Sequence, residues 1–508
     1  MPQLSEDAGL LTARRVAEIT GGRLLSGSGE ARGIATDSRS TRPGDLFVAV
    51  EGERHDGHQF VAEAVARGAR GLLVARPCSP LADRLPSDEP PSDEPYVVEV
   101  ADTRRALSSI ARAHRKLLSA SAPGLQVAAI TGSCGKTSTK EMASHMLAPF
   151  VSLVAAERSF NNDIGLPLTL LRAKGSTELC LLEIGTNQPG DIARLAEVAA
   201  PDIAVITMVG RAHLAGLGSI DGVLREKSSL LEFLSAEGVA ILNADERHFD
   251  ALARLAGARR ILSFGIHGDA DLRARNLRPE ADGVSLQLVC RDEGPLAARL
   301  PRFGMHNVKN CLAALAIGKA LGLSAAELVS EIPSLPQTPR RLELKTSGGG
   351  VQVLDDSFNA NPDSLLAALS VMDSWSGARR RILVLGDMLE LGPSAREIHA
   401  SIGGLLVGRI DRLLTVGPLA GHSAERFVQK SQRPELAERF RDTEELGLVL
   451  PGMFREGDLV LFKGSRHMSL DRLVDLLLGR VDDVPLVSPG PVSYHGGGEL
   501  ETTASQGV

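Results

Sequence analysis

The residues best suited to chemistry lie in AAITGSCGKTSTKEM, residues 128–142. There an apolar strand pattern runs into a glycine loop and then into a helical pattern starting near Lys136. The loop Thr131-Gly132-Ser133-Cys134-Gly135-Lys136-Thr137, followed by Ser138, has the composition of a phosphate cradle. Its backbone N–H groups and the positive end of the helix can hold phosphate oxygens. Lys136 would bring a point charge to the β- and γ-phosphates, and the Thr137 hydroxyl would reach a magnesium ion. The strict pattern G-x-x-x-x-G-K-[ST] needs glycine where this chain has Ile130, so the loop is a variant with one glycine moved. The plainer alternative is a glycine turn with a surface lysine. The position of G-K-T, at a strand-to-helix junction, favours the phosphate reading.

Two further strand patterns end in candidate metal ligands. Leu179-Cys180-Leu181-Leu182 leads into Glu183, at the strand end where doubly wound sheets bind ligands. Magnesium prefers such an oxygen donor. On position alone, an exposed strand-end acid explains Glu183 equally well. The next strand ends before Gly210-Arg211-Ala212-His213, which puts His213 on the same edge. A lone histidine is more often a packed or surface residue than a ligand, so His213 draws its weight from Glu183 and Lys136.

These residues need parallel sheets to position them. The first ~120 residues alternate short strand patterns (45–50, 71–75, 96–100) with helical ones (58–67, 103–119), as in a small α/β domain. The middle segment carries apolar strands at 126–131, 179–184 and 204–209 separated by helical patterns, the order of a parallel sheet with crossover helices. The last segment repeats this with strands at 351–354, 381–385, 412–416 and 458–462, a second parallel domain of the Rossmann type. A small-residue and proline stretch at 119–124 and the three-proline stretch at 333–339 mark junctions. The expected organisation is therefore three α/β domains over 1–122, 123–338 and 339–482, with a disordered Gly/Ser/Thr-rich tail over 483–508. The repeated PSDEP of 86–95 is expected to be a solvated loop.

Composition sets outer bounds. A chain of 508 residues exceeds one ordinary core. With 56 Lys and Arg against 63 Asp and Glu, it has no overall basic field for nucleic acid or an anionic membrane. The five scattered cysteines (Cys78, Cys134, Cys180, Cys290, Cys311) form no Cys-x-x-Cys pair, so neither a disulfide framework nor a zinc site is indicated. No apolar run reaches the ~20 residues of a membrane span, and the acidic N-terminus is unlike a secretory signal. A cytoplasmic protein without nucleic-acid or membrane partners is expected.

Taken together, the motifs resemble the Mur ligase family from about Gly33 to Leu478. In the first domain ATDSRSTRPGDLFVAVEGERHDGHQFV is similar to the family's uridine-nucleotide segment and points to Asp37, Ser38 and Arg39. In the middle the resemblance covers TGSCGKTSTK, FNNDIGLPLT (Asn161, Asn162), LEIGTNQPGDI (Glu183), AHL (His213), REKSSLLE (Lys227) and GMHNVKNCLAAL (His306, Asn307, Asn310). In the last domain it covers RRLE (Arg341), DDSFNANPDS (Asp356, Asn359, Asn361), LGDMLELG and KGSRHMSL (Lys463 to Ser469). Cys134 stands where the family usually shows Asn, and Ser229 where a glutamate often follows the special lysine.

The resemblance implies an ATP- and Mg2+-dependent ligase that converts a carboxylate to an acyl phosphate for attack by an amine. NANPDS and GDMLELG suit the member that joins D-alanyl-D-alanine to UDP-N-acetylmuramoyl-tripeptide, expected to act as a monomer. By resemblance Lys136, Lys227, His213 and Arg341 are catalytic. The loop residues, Asn307, Asn310, Arg341, Asp356 and Asn359 meet ATP. Asp37, Ser38, Arg39, Asn161, Asn162 and Asn361 meet substrate, and Thr137, Glu183, His213 and Lys227 serve metal. Lys227 resembles a lysine that becomes N-carbamylated. From the residues alone, REKSSLLE is an ordinary solvated helical face. Arg341 is preferred to Arg340 by its place before Leu342, although the pair is locally ambiguous. Two other readings remain: an amide ligase for a different amine, such as a folylpolyglutamate synthase, and a nucleotide-dependent switch without ligase chemistry.

Overall fold

Gln126–Thr131 is apolar along almost its whole length, as a strand covered on both faces requires. In the computed structural model, which describes residues 9–52, 55–76, 94–122 and 124–480, it lies within a nine-stranded sheet. Its parallel neighbours are Leu179–Glu183 and Ile203–Ile206. The parallel run extends from Leu153–Ala155 at one edge through Val239–Asn243 and Arg260–Gly265 to Leu272–Glu280. Gly283–Cys290 and Leu296–Leu300 then close the sheet in antiparallel fashion. Alternate residues of the central strand feed two cores. Val127 and Ala129 face one containing Leu170, Leu182 and Leu195, while Ala128 and Ile130 face the other beside Met142, Met146 and Leu312.

A five-stranded sheet precedes it in the order Arg23–Ser26, Tyr96–Glu99, Gly71–Val74, Asp45–Val48, Gly33–Ala35, parallel except at its first pair. Asp102 caps the helix Thr103–Ser121 by accepting from the Arg104 and Arg105 N–H groups at 2.8 and 3.1 Å. This helix carries Leu107, Ile110 and Leu118 into a core shared with Leu166 and Ile192 of the middle segment. Its Arg115 pairs with Asp202 at 2.8 Å, so the helix is a common wall of the first and second sheets. The helical pattern at 58–67 splits into a 3-10 turn, Gly57–Phe60, and a short helix, Val61–Ala66. Asp56 caps the start of the turn by accepting from both the N–H and the ring of His58.

The third sheet has the order Glu343–Thr346, Gln352–Asp355, Asp458–Lys463, Arg380–Gly386, Arg412–Val416, Ala437–Phe440, parallel after its first pair. The three-domain α/β architecture expected from the sequence is thus present. The tail lies outside the described residues, as does PSDEP up to its last two residues. Among the described residues no helix is long and apolar enough to cross a membrane.

Candidate functional site

The glycine loop owes its shape to two close approaches. Gly132 has φ +149°, and a Cβ there would lie 1.9 Å from Thr207 Oγ1. Gly135 has φ +89°, and a Cβ would lie 2.3 Å from Asn310 Oδ1. Ile130, where the strict pattern asks for glycine, is instead a fully buried strand residue. Thr207 donates to the carbonyls of Thr131 and Cys134 at 3.2 and 2.5 Å. It thereby ends the strand that the sequence pattern carried on to 209 and ties it to the loop. Lys136 opens the helix Lys136–Leu147, and its Nζ donates to the Gly132 carbonyl at 2.6 Å. Burial lowers the Lys136 ammonium from its ordinary value, while Glu183 opposes that shift.

Glu183 is 1% exposed and fully engaged. Its Oε2 accepts from the Thr137 hydroxyl at 2.8 Å and its Oε1 from Asn161 Nδ2 at 2.9 Å. Asn162 instead accepts from the Ile164 and Gly165 N–H groups at 3.2 and 2.9 Å, where the helix Gly165–Leu170 begins. A hydroxyl and a carboxylate at a phosphate loop form a hard-oxygen pair of the kind magnesium takes, with waters and phosphate oxygens completing the shell. Among the described residues no group of three or more His, Cys, Asp or Glu could hold a metal ion without such help.

The third sheet reaches over this edge. Arg341 Nη2 donates to the Thr137 hydroxyl at 2.9 Å, and its guanidinium lies 4.2 Å from the centre of the Phe358 ring. Arg340 turns away at φ +60° to pair with Asp471 and, at 3.4 Å, Asp475, which separates the two adjacent arginines. Asp356 takes a 2.5 Å ion pair from Lys463, whose Nζ also donates to the Asn359 carbonyl. Burial raises the Asp356 carboxyl, and Lys463 and Arg341 work against it. Asn361 Oδ1 accepts from the Ser364 N–H at 2.8 Å and so caps the helix Pro362–Ser374, while its Nδ2 donates to the Ser133 carbonyl at 3.3 Å. His213 Nδ1 lies 2.6 Å from Glu390 Oε2.

Lys136, Thr137, Glu183, Asn161, Asn162, His213, Arg341, Asp356, Asn359 and Asn361 line one cleft of about 1590 Å³, together with Ser133, Cys134, Gly135, Ser138, His306, Asn307 and Asn310. Asn307 is held by the Phe303 carbonyl at 2.9 Å and accepts from Asn310 at 3.3 Å. Burial pushes the His306 imidazole down to about 4. Thr131, Gly132 and Lys227 lie behind the lining. Lys227 is 1% exposed, and its ammonium has no hydrogen-bond or ion-pair partner among the described residues. Burial, reinforced by Lys136, holds it well below the ordinary lysine value. Asp37, Ser38 and Arg39 sit apart from the cleft. Asp37 and Arg39 pair with each other, and Ser38 donates to Glu63 at 2.8 Å.

The sequence reading gave no role to three contributors. Glu390 and Lys463 stand inside the quoted segments LGDMLELG and KGSRHMSL, so the segments were the available signal. Thr207 had none beyond being a hydroxyl residue at a strand end.

Comparison with known proteins gives the same picture along the chain. Residues 30–115 match "Mur ligase family, catalytic domain", residues 130–318 "Mur ligase middle domain", and residues 340–466 "Mur ligase, glutamate ligase domain". The UDP-N-acetylmuramoyl-tripeptide–D-alanyl-D-alanine ligase of Bacillus subtilis is 32% identical over 471 residues, covering 92% of this chain and 98% of the relative. A crystal structure of MurF from Acinetobacter baumannii superposes with a TM-score of 0.80 at 30% identity, over 92% of this chain and 99% of that one. The MurF ligase of Thermotoga maritima in complex with ADP gives 0.74 at 26% identity, over 88% and 97%.

Proposed function

The chain belongs to the Mur ligase family, and from that premise we propose that it joins D-alanyl-D-alanine to UDP-N-acetylmuramoyl-tripeptide at the expense of ATP. The observation that carries this reading is the Thr137 hydroxyl, which donates to Glu183 and accepts from Arg341 of the third sheet.

The tripeptide carboxylate attacks the γ-phosphorus, the bond to the β-phosphate oxygen breaks, and ADP leaves an acyl phosphate. The dipeptide amine then adds to the acyl carbon, phosphate departs with the C–O bond electrons, and the amine proton is lost to give the amide. Every participant but the amine is anionic, so positioning and charge neutralisation dominate the barrier. Lys136 meets the β/γ-phosphates from the loop, and Arg341 brings a second cation as the third domain closes. Closure excludes water that would hydrolyse the acyl phosphate. Magnesium, when bound, neutralises phosphate charge, and the donors suited to hold it are the Thr137 hydroxyl, the Glu183 carboxylate and the His213 ring. Lys227, whose charged form burial disfavours, offers an amine that can add to carbon dioxide and, on losing a proton, become an anionic oxygen donor. Asn307, Asn310, Asp356 and Asn359 suit the nucleotide. Asn161, Asn162 and Asn361 stand beside the loop on the substrate side, and Asp37, Ser38 and Arg39 suit the distant uridine end.

We place the domain divisions near 122 and 338. We propose that it acts as a monomer in a reducing cytoplasm, which the free Cys134, Cys180, Cys290 and Cys311 suit.

Purified protein given ATP, magnesium and UDP-N-acetylmuramoyl-tripeptide should release phosphate with D-alanyl-D-alanine and not with L-glutamate or free D-alanine. Turnover with L-glutamate alone would transfer the assignment to another amide ligase.

A further inference from the structure

Asp363 sits in the first turn of the helix Pro362–Ser374 and leaves its own sheet to bind the middle segment. Its Oδ2 accepts from the Arg211 backbone N–H at 2.6 Å, and its Oδ1 accepts from Arg211 Nη2 and Nε at 2.7 and 3.2 Å. The approach is close enough that a Cβ on Gly210 would lie 2.6 Å from Asp363 Oδ2. The same Gly210 is locked to the phosphate loop: Ser133 Oγ donates to its carbonyl at 3.0 Å and accepts from its N–H at 2.9 Å. One turn of the third-sheet helix completes the ring, because Asn361 donates to the Ser133 carbonyl and to Cys134 Sγ at 3.3 and 3.2 Å. Asn361 and Asp363 therefore grip the loop and the turn that is itself fastened to the loop. That turn leads within two residues to His213, and thence to Glu390 in the loop after the strand Arg380–Gly386.

We propose that Asp363 is a positioning residue that registers the third domain on the Gly210–Arg211 turn, and so aligns the closed phosphate loop. This rests on the ligase reading, in which closure of the third domain brings Arg341 to the loop. The ion pair alone would contribute little, because Arg211 and Asp363 are 39% and 23% exposed and such pairs are screened. The carboxylate bond to the main chain is the stronger part, since it fixes the turn itself and is independent of the arginine side chain. The two residues should consequently be unequal. Removing Asp363 loses every contact, whereas removing the Arg211 side chain leaves the backbone donor in place.

The test compares Asp363→Ala, Asp363→Asn and Arg211→Met in the full chain. Turnover, ADP affinity by calorimetry, and the radius of gyration with and without ADP are measured. Asp363→Ala is expected to lower kcat by about thirtyfold, Asp363→Asn by about tenfold and Arg211→Met by about threefold. ADP affinity should fall by much less than kcat, because the phosphate loop, Asn307 and Asn310 hold the nucleotide from the middle segment. Asp363→Ala turnover within about twofold of wild type, or a loss of ADP affinity equal to the loss of kcat, would overturn the proposal. If Asp363→Ala does not unfold cooperatively, the order of the other two decides, and Arg211→Met more impaired than Asp363→Asn rejects it. Failure of the ligase reading would show separately, as no turnover by wild type with the dipeptide. The latch is then read from scattering: ADP should compact wild type more than the Asp363 variants, and equal compaction rejects it.

Discussion

Arg341 donates to the Thr137 hydroxyl at 2.9 Å, joining the third sheet to the first turn of the phosphate-loop helix. Thr137 in turn donates to Glu183, so one hydroxyl couples the arriving arginine to the candidate metal carboxylate. Arg340, next in sequence, faces Asp471 and Asp475. The two arginines should therefore separate cleanly. Arg341→Ala is expected to reduce kcat by roughly a hundredfold, the scale of losing one preorganised charge donor. Arg340→Ala should leave kcat within a few-fold and lower stability by about 1 kcal/mol or less, as for a partly exposed ion pair. Steady-state phosphate release and urea unfolding of both variants check this.

Lys227 has no partner for an ammonium among the described residues, and burial opposes its charged form. Lys227→Ala should lose turnover by roughly a hundredfold, and added formate or acetate should restore part of it by standing in for the lost carboxylate. Because carbamate formation needs the neutral amine, wild-type activity should decline as pH falls through the depressed Lys227 value, and the rescued variant should not share that decline. Full activity of Lys227→Ala in unsupplemented buffer would remove the carbamate from the account.

Burial pushes the His306 imidazole down to about 4 in the folded chain, against 6.5 for an ordinary imidazole. As pH falls from about 6.5 to about 4, the unfolded chain takes up this proton while the folded chain does not, so stability is lost on the acid side. Urea unfolding across pH 4 to 8 should show wild type losing stability relative to His306→Asn in that window, with a constant difference above it. Parallel profiles throughout would mean that the imidazole stays hydrated in the folded protein.

Several parallel strands were legible in the sequence because burial on both faces leaves continuous apolar runs, as at Gln126–Thr131 and Arg412–Val416, whereas Val239–Asn243, Arg260–Gly265 and Ala437–Phe440 went unread. The antiparallel end of the second sheet was not. Leu272–Glu280 carries three arginines and Gly283–Cys290 alternates buried with half-buried residues, so neither gives such a run. Lys227 shows a different limit. Its local sequence is that of a solvated helix, and only the packing of Ile220–Ser228 against the rest of the chain buries it. The His213–Glu390 and Arg211–Asp363 pairs join residues far apart in sequence, and only the folded chain brings them together. Arg340 and Arg341 are equivalent by composition and are distinguished by a left-handed backbone turn that non-glycine residues seldom adopt.

The central claim is that the cleft forms an acyl phosphate, and oxygen transfer tests it most directly. UDP-N-acetylmuramoyl-tripeptide labelled with oxygen-18 in its reacting carboxylate is incubated with the enzyme, ATP, magnesium and D-alanyl-D-alanine, and the released phosphate is examined by mass spectrometry. One labelled oxygen should appear in the phosphate for each amide formed. Amide formation with unlabelled phosphate would contradict the account.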